Sequence, residues 1–146
     1  MFSSVVSRYI TYKKGMLSMY NKLKHIEGVN LLPKEVVGPA LVGSVEYFDG
    51  EKSTYHGSLV ATTHRLFLNL EDNDLVCVEE ISFENITRVT VEELLLVGHI
   101  FHIWQDDKLL ISIKSISEGK LDKFLEFYYK YKAQHQADTV NKEAFA

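Results

Sequence analysis

The sequence predicts an α+β, mainly β fold: a seven-stranded antiparallel barrel or sandwich capped by a C-terminal helix, with an N-terminal helical extension. Three observations carry this expectation. From about residue 40 the hydrophobic period is two, in seven short runs parted by turn residues. After residue 117 the period becomes that of a helix, and an amphipathic helical pattern also precedes the first run.

Taken in chain order, Met16, Met19, Tyr20, Leu23 and Ile26 fall on one side of a helix over residues 16–27, which Gly28 stops. The first dozen residues carry a weaker version through Phe2, Val5, Val6, Tyr9 and Tyr12, diluted by β-branched side chains. Strands follow near 40–48, 54–62, 65–71, 75–82, 87–93, 99–105 and 108–114. Between them stand turn-forming segments such as "DGEK", "EDND", "SFEN" and "QDDK". Alternation assigns Leu66, Leu68 and Leu70 to one core face, with Val89 and Val91, and Leu109, Ile111 and Ile113, as further core residues. In the final segment Ser117 reads as an N-cap with Glu118 in the first turn, and Leu121, Phe124, Leu125 and Tyr128 form the stripe that covers the sheet. The domain organisation is therefore an N-terminal extension over 1–28, one domain over 29–135, and a frayed tail over 136–146.

A chain of 146 residues, 46% hydrophobic, is long enough for one domain with its own core. Its single cysteine, Cys77, makes no internal disulfide, and the start lacks the pattern of a secretory leader, so a cytoplasmic protein is expected. No apolar run approaches the roughly 20 residues that span a bilayer. Net charge is −4 but unevenly spread. Residues 1–35 carry six basic against two acidic side chains, and residues 36–115 carry five basic against thirteen acidic. The acidic middle argues against nucleic-acid binding, which rests on basic neutralisation of phosphates.

Three segments resemble a known family. "GSLVATTHRLFL" (57–68) is similar to the G-x-L-x-x-T-x-x-R-L segment of bacterial pleckstrin-homology-like (PH-like) domains and the related GRAM domains. "EEISFENITRVTV" (79–91) resembles the passage into their fifth strand, and "LLPKEVVGPALVG" (31–43) the leucine and glutamate before their first. The resemblance covers about residues 29–132. It implies the seven-stranded barrel closed by one helix and a binding role for protein, peptide or lipid, while the job itself is decided by sites. Gly57, Leu59, Thr62, Arg65 and Leu66 match the motif. The middle positions, Thr63 and His64, depart from the family's frequent Asn-Lys, which puts the turn type in question.

Among candidate sites, the Thr62-Thr63-His64-Arg65 corner reads first as a hairpin whose hydroxyls bond nearby backbone, and second as a ligand loop. The loop "YFDGEKSTY", where lipid-binding members of the fold hold phosphates, offers Lys52 beside Asp49 and Glu51, which disfavours an anionic headgroup. His99 and His102 lie three apart in a strand and point to opposite faces, so no metal site is expected. No cofactor motif or catalytic set is present, and the pairs Glu79-Glu80, Glu92-Glu93 and Asp106-Asp107, whose side chains diverge in a strand, read for the most part as solvated edges and turns. On the C-terminal helix, Phe127, Tyr129 and Tyr131 widen the apolar arc to about 200°, more than a core face needs, and are partner-binding candidates. Arg8, Lys13, Lys14, Lys22 and Lys24 are candidates for contact with a membrane surface. The functional expectation is a non-enzymatic, cofactor-free module that recognises a protein partner, as an adaptor or inhibitor of bacterial or phage origin, with self-association among its forms. The alternative is a peripheral membrane protein using the basic N-terminal helix.

Overall fold

The computed structural model of the chain describes residues 6–13, 26, 29–49, 51–73 and 75–144. They form one eight-stranded antiparallel sheet and a long helix. The strands are β1 (Val6–Lys13), β2 (Val37–Asp49), β3 (Glu51–Thr62), β4 (Arg65–Asp72), β5 (Leu75–Ser82), β6 (Arg88–Leu94), β7 (Gly98–Gln105) and β8 (Lys108–Glu118), and α1 spans Leu121–Ala144. The order across the sheet is β1-β5-β4-β3-β2-β8-β7-β6. Sequence neighbours therefore pair as hairpins throughout β2–β5 and β6–β8. The join between the two groups is the long-range pair β2–β8, with Val45 opposite Ile113 and Tyr47 opposite Ile111. A 3₁₀ turn, Phe83–Asn85, carries the chain from β5 to β6.

All seven expected strands are present within a few residues of their expected limits. The eighth, β1, corrects the helical expectation for the first dozen residues. Val6, Tyr9, Ile10, Thr11 and Tyr12 are β-branched or aromatic, and β5 offers a free edge. Pairing runs from Tyr9 opposite Glu79 to Lys13 opposite Leu75, which covers that edge. The helix expected over residues 16–27 lies outside the described residues.

One face of the sheet wraps a core. Leu41 and Val45 from β2, Leu59 from β3, Leu66, Leu68 and Leu70 from β4, Ile81 from β5, Phe101 and Ile103 from β7, and Ile111 and Ile113 from β8 are buried in one cluster. From α1, Phe124 and Tyr128, four residues apart and so on one face, complete it. The Phe124 ring meets Phe101 edge-on at 5.7 Å, and Tyr128 meets Phe83 in the same way at 5.7 Å. Two core assignments shift. Val89 is only half-buried and Val91 exposed, because β6 is the sheet's edge strand and turns little of its surface inward, and Leu109 is half-buried because a register shift in the β7–β8 ladder puts Leu110 into the core in its place.

The other face of β3–β5 is also covered. Val60, Phe67, Val76 and Val78 form a second buried cluster, against which Ile26, Val29 and Ala40 pack. This explains why β4 is buried along its first six residues instead of alternating. The helix start is also corrected: β8 runs through Ser117 and Glu118, the Ser117 hydroxyl donates to the Val42 carbonyl at 3.3 Å, and Gly119 turns the chain at φ +90°. With its Cβ position against the Ala40 carbonyl, no other residue fits there. α1 then continues to Ala144, through the segment expected to fray.

Candidate functional site

The polar corner between β3 and β4 is a buried ion-pair network. Arg65 donates from Nε and Nη2 to the two oxygens of Glu35, at 3.0 and 2.9 Å, and its Nη1 lies 2.9 Å from Glu80. The Thr62 hydroxyl donates to Glu35 Oε2 at 2.6 Å and accepts from the amides of His64 and Arg65. The Leu32 amide donates to Glu35 Oε1 at 2.8 Å. Burial alone would raise the Glu35 pKa, but the hydrogen bonds from Arg65, Thr62 and the Leu32 amide outweigh it and hold the carboxyl below its ordinary value. Neither Thr63 nor His64 has a positive φ, so the turn is made by the Thr62 hydroxyl in place of a left-handed residue. The guanidinium also lies 4.7 Å above the Phe67 ring, so Arg65, Glu35 and the Thr62 hydroxyl are all engaged within the corner. The corner is a scaffold: it ties the segment before β2 to the hairpin β3–β4, and it joins the glutamate and the Thr-x-x-Arg of two separate sequence motifs.

The helix candidates divide. Phe127 and Tyr131 are half-buried, packed on the core and on each other with ring centroids 4.6 Å apart, and Phe127 fills the space over Gly38. Tyr129 alone of the three is exposed. The wide aromatic arc is therefore used mostly to seat the helix. Lys132 anchors the middle of the helix by donating to the Phe83 and Ile86 carbonyls, each at 2.6 Å, with its pKa lowered by burial.

A surface that periodicity did not single out is the tip between β6 and β7. Leu94 pairs with Gly98, so Leu95, Leu96 and Val97 form a three-residue turn. Leu95 is 91% and Leu96 100% exposed, with Leu94, Val97 and Val91 also in solvent. Leu96 moreover has φ 68°, a region that favours Gly or Asn and costs a leucine on the order of 1 kcal/mol. Among the described residues the other non-glycine positions with positive φ are Lys34, Asn73, Asp106 and Ser115, all polar. Neither the core nor the turn geometry of this chain asks for leucine at 96. The signal was legible as "LLLV" (94–97), four consecutive apolar residues where a hairpin needs turn chemistry. Glu92 and Glu93 precede the tip, and no Lys or Arg stands between Arg88 and Lys108.

The remaining candidates are dispersed. Arg8 and Lys13 fall in β1 and not in a helix, while Lys14, Lys22 and Lys24 lie outside the described residues. The β2–β3 ladder continues to Asp49 opposite Glu51, so Lys52 pairs opposite Phe48 within the hairpin. His102 bonds Ser112 Oγ at 2.6 Å and Glu92 at 3.1 Å, whereas His99 is exposed. Among the described residues no three His, Cys, Asp or Glu side chains are grouped to hold a metal. Glu79 and Glu80 diverge as adjacent strand residues should, but Glu79 is fully buried, not solvated. No helix among the described residues is long and apolar enough to cross a membrane.

A family model for the bacterial PH domain matches residues 31–130, which is most of the chain and contains the Glu35, Thr62 and Arg65 network. The chain belongs to the bacterial PH domain family. The match begins one residue before Leu32 and ends within α1, so it takes in all seven strands β2–β8 and leaves β1 outside. Comparison with curated proteins and with solved structures finds no match. As a PH-like domain the chain has the character of a binding module, and its candidate contact surface is the β6–β7 tip together with Tyr129.

Proposed function

We propose that this PH-like domain is a non-enzymatic module that recognises a protein partner, in the manner of an adaptor or inhibitor, through the tip of the β6–β7 hairpin. The observation that carries the reading is the pair Leu95 and Leu96, nearly wholly in solvent at a turn that leucine makes less stable. Burying both on a partner is worth roughly 3–6 kcal/mol, about 1.5–3 for each leucine. Glu92 and Glu93 favour a partner groove with a basic rim and disfavour an anionic lipid surface.

The test compares the parent with the double variant L95E/L96E in affinity capture from the native host, with binding to anionic and to neutral vesicles measured in parallel. A protein held by the parent and lost with the folded variant supports the reading, and the loss in affinity is on the order of a hundredfold or more for the burial above. Vesicle binding that depends on the two leucines, or capture unaffected by them, overturns it.

A further inference from the structure

Resting on the protein-partner reading, we infer that the partner is a second copy of this chain: the β6–β7 tip of each copy seats in the groove of the other between β2 and the start of α1. The groove has a volume of about 380 Å³ and is lined by Gly38, Pro39, Ala40, Gly119, Lys120 and Lys123. Gly38, Pro39, Ala40 and Gly119 line it with short side chains, with the Phe127 ring packed over one side of Gly38 and the Ala40 carbonyl against Gly119. Its volume lies within the range of pockets that accept small apolar groups, so one or two leucine side chains fit.

Charge matches at the rim. Lys120 and Lys123 are both exposed beside the groove, and Lys123 lies 3.9 Å from Glu126 on the helix surface. The tip brings Glu93, exposed on the strand that leads into it; Glu92 beside it points to the opposite face and is engaged by His102 at 3.1 Å. An acidic, leucine-bearing projection and a basic, small-residue groove of one molecule are thus complementary to each other.

Their placement allows the contact to close. β7 pairs with β8, Phe101 opposite Ile113, which brings the Gly98 end of β7 level with the last residues of β8. β8 pairs with β2, Glu118 opposite Val42, and Gly119 abuts Ala40, so the groove lies at the same end of the sheet as the tip. The two are separated by β8 and one further strand interval, roughly 10 Å at the usual strand spacing. A two-fold axis between them lets each tip enter the other copy's groove, giving a closed dimer in place of an open chain of head-to-tail contacts. With so few side chains in each contact the dimer is small and reversible.

The test is sedimentation equilibrium of the full chain over a wide range of concentration. The parent is expected to show a reversible monomer–dimer equilibrium. L95E/L96E is expected to weaken it at least a hundredfold, and K120E/K123E at least tenfold. Combining K120E/K123E with E93K is expected to restore part of the association, which a merely damaged fold would not do; circular dichroism checks each variant. A parent that stays monomeric throughout, or a dimer indifferent to the leucines and to the charge reversal, overturns the inference. If the parent is monomeric yet captures a different protein through Leu95 and Leu96, the second-copy inference fails while the protein-partner reading stands. If neither association occurs, both fail.

Discussion

Replacing Glu35 by alanine removes the acceptor at the centre of the β3–β4 corner, and its cost follows from the geometry. The substitution deletes two charged hydrogen bonds from Arg65, one from the Thr62 hydroxyl and one from the Leu32 amide. Breaking a buried ion pair by removing one partner costs about 3–5 kcal/mol because the other charge is left uncompensated. Here Glu80 still reaches Arg65 at 2.9 Å, which places Glu35→Ala at the lower end, about 3 kcal/mol. At roughly 4 °C per kcal/mol for a domain of this size, the melting temperature falls by about 12 °C. Urea and thermal unfolding of Glu35→Ala, Arg65→Met and the double variant E35L/R65M measure it. The double variant is expected to lose less than the two single effects added together, since it leaves Glu80, which has some access to water, in place of a buried Arg65 or Glu35 charge. A loss within about 0.5 kcal/mol for Glu35→Ala, or single effects that simply add, would refute the argument.

The same carboxyl sets a pH dependence. Its folded pKa lies below the ordinary value of 4.5, so its stabilisation is present above that value and is lost as pH falls through the folded pKa; Glu35→Gln should flatten the acid limb of the stability curve measured by urea unfolding. Tyr128 is buried with its hydroxyl unpartnered among the described residues, and burial, with a smaller contribution from Tyr129, pushes its pKa up. Tyr128→Phe removes that polar atom and is expected to keep or raise stability, by up to about 1 kcal/mol in denaturant unfolding. Gly119→Ala places a methyl group against the Ala40 carbonyl at φ +90°, and a loss of about 2 kcal/mol or more is expected in the same assay. L95E/L96E touches nothing in the core and should unfold within about 0.5 kcal/mol of the parent, so that any loss of binding is a loss of contact.

Much of the fold was legible because period and turn chemistry agree at each strand. Leu66, Leu68 and Leu70 alternate with polar or covered positions, and "EDND" and "QDDK" supply Asn73 and Asp106, whose positive φ their short polar side chains tolerate. Val91 misled because alternation reports two faces without saying whether either is covered, and β6 stands at an edge. β1 was hidden for the opposite reason: its partner is a strand edge some 70 residues away, and local periodicity carries no information on such a vacancy. The corner motif identified the fold from sequence, but the partnership of Glu35 with Arg65, thirty residues apart, needed the structure. At the candidate site the aromatic residues of α1 drew attention by their number, yet a helix laid against a sheet also has a flank to seal beside its core stripe, and Phe127 and Tyr131, stacked four residues apart, do that. "LLLV" fell between the strands expected at 87–93 and 99–105, and its apolar side chains in place of turn residues were the legible sign of a projection that solvent exposure then marks.

The claim most open to direct test is that the β6–β7 tip touches a protein. A photoreactive amino acid incorporated at position 96 and activated in the native host samples what lies against that side chain. A discrete cross-linked protein species, identified by mass and abolished when Leu95 is changed to Glu in the same chain, is the result this account requires. Adducts to lipid alone, or no adduct while the same probe at position 129 gives one, would place the contact elsewhere and contradict it.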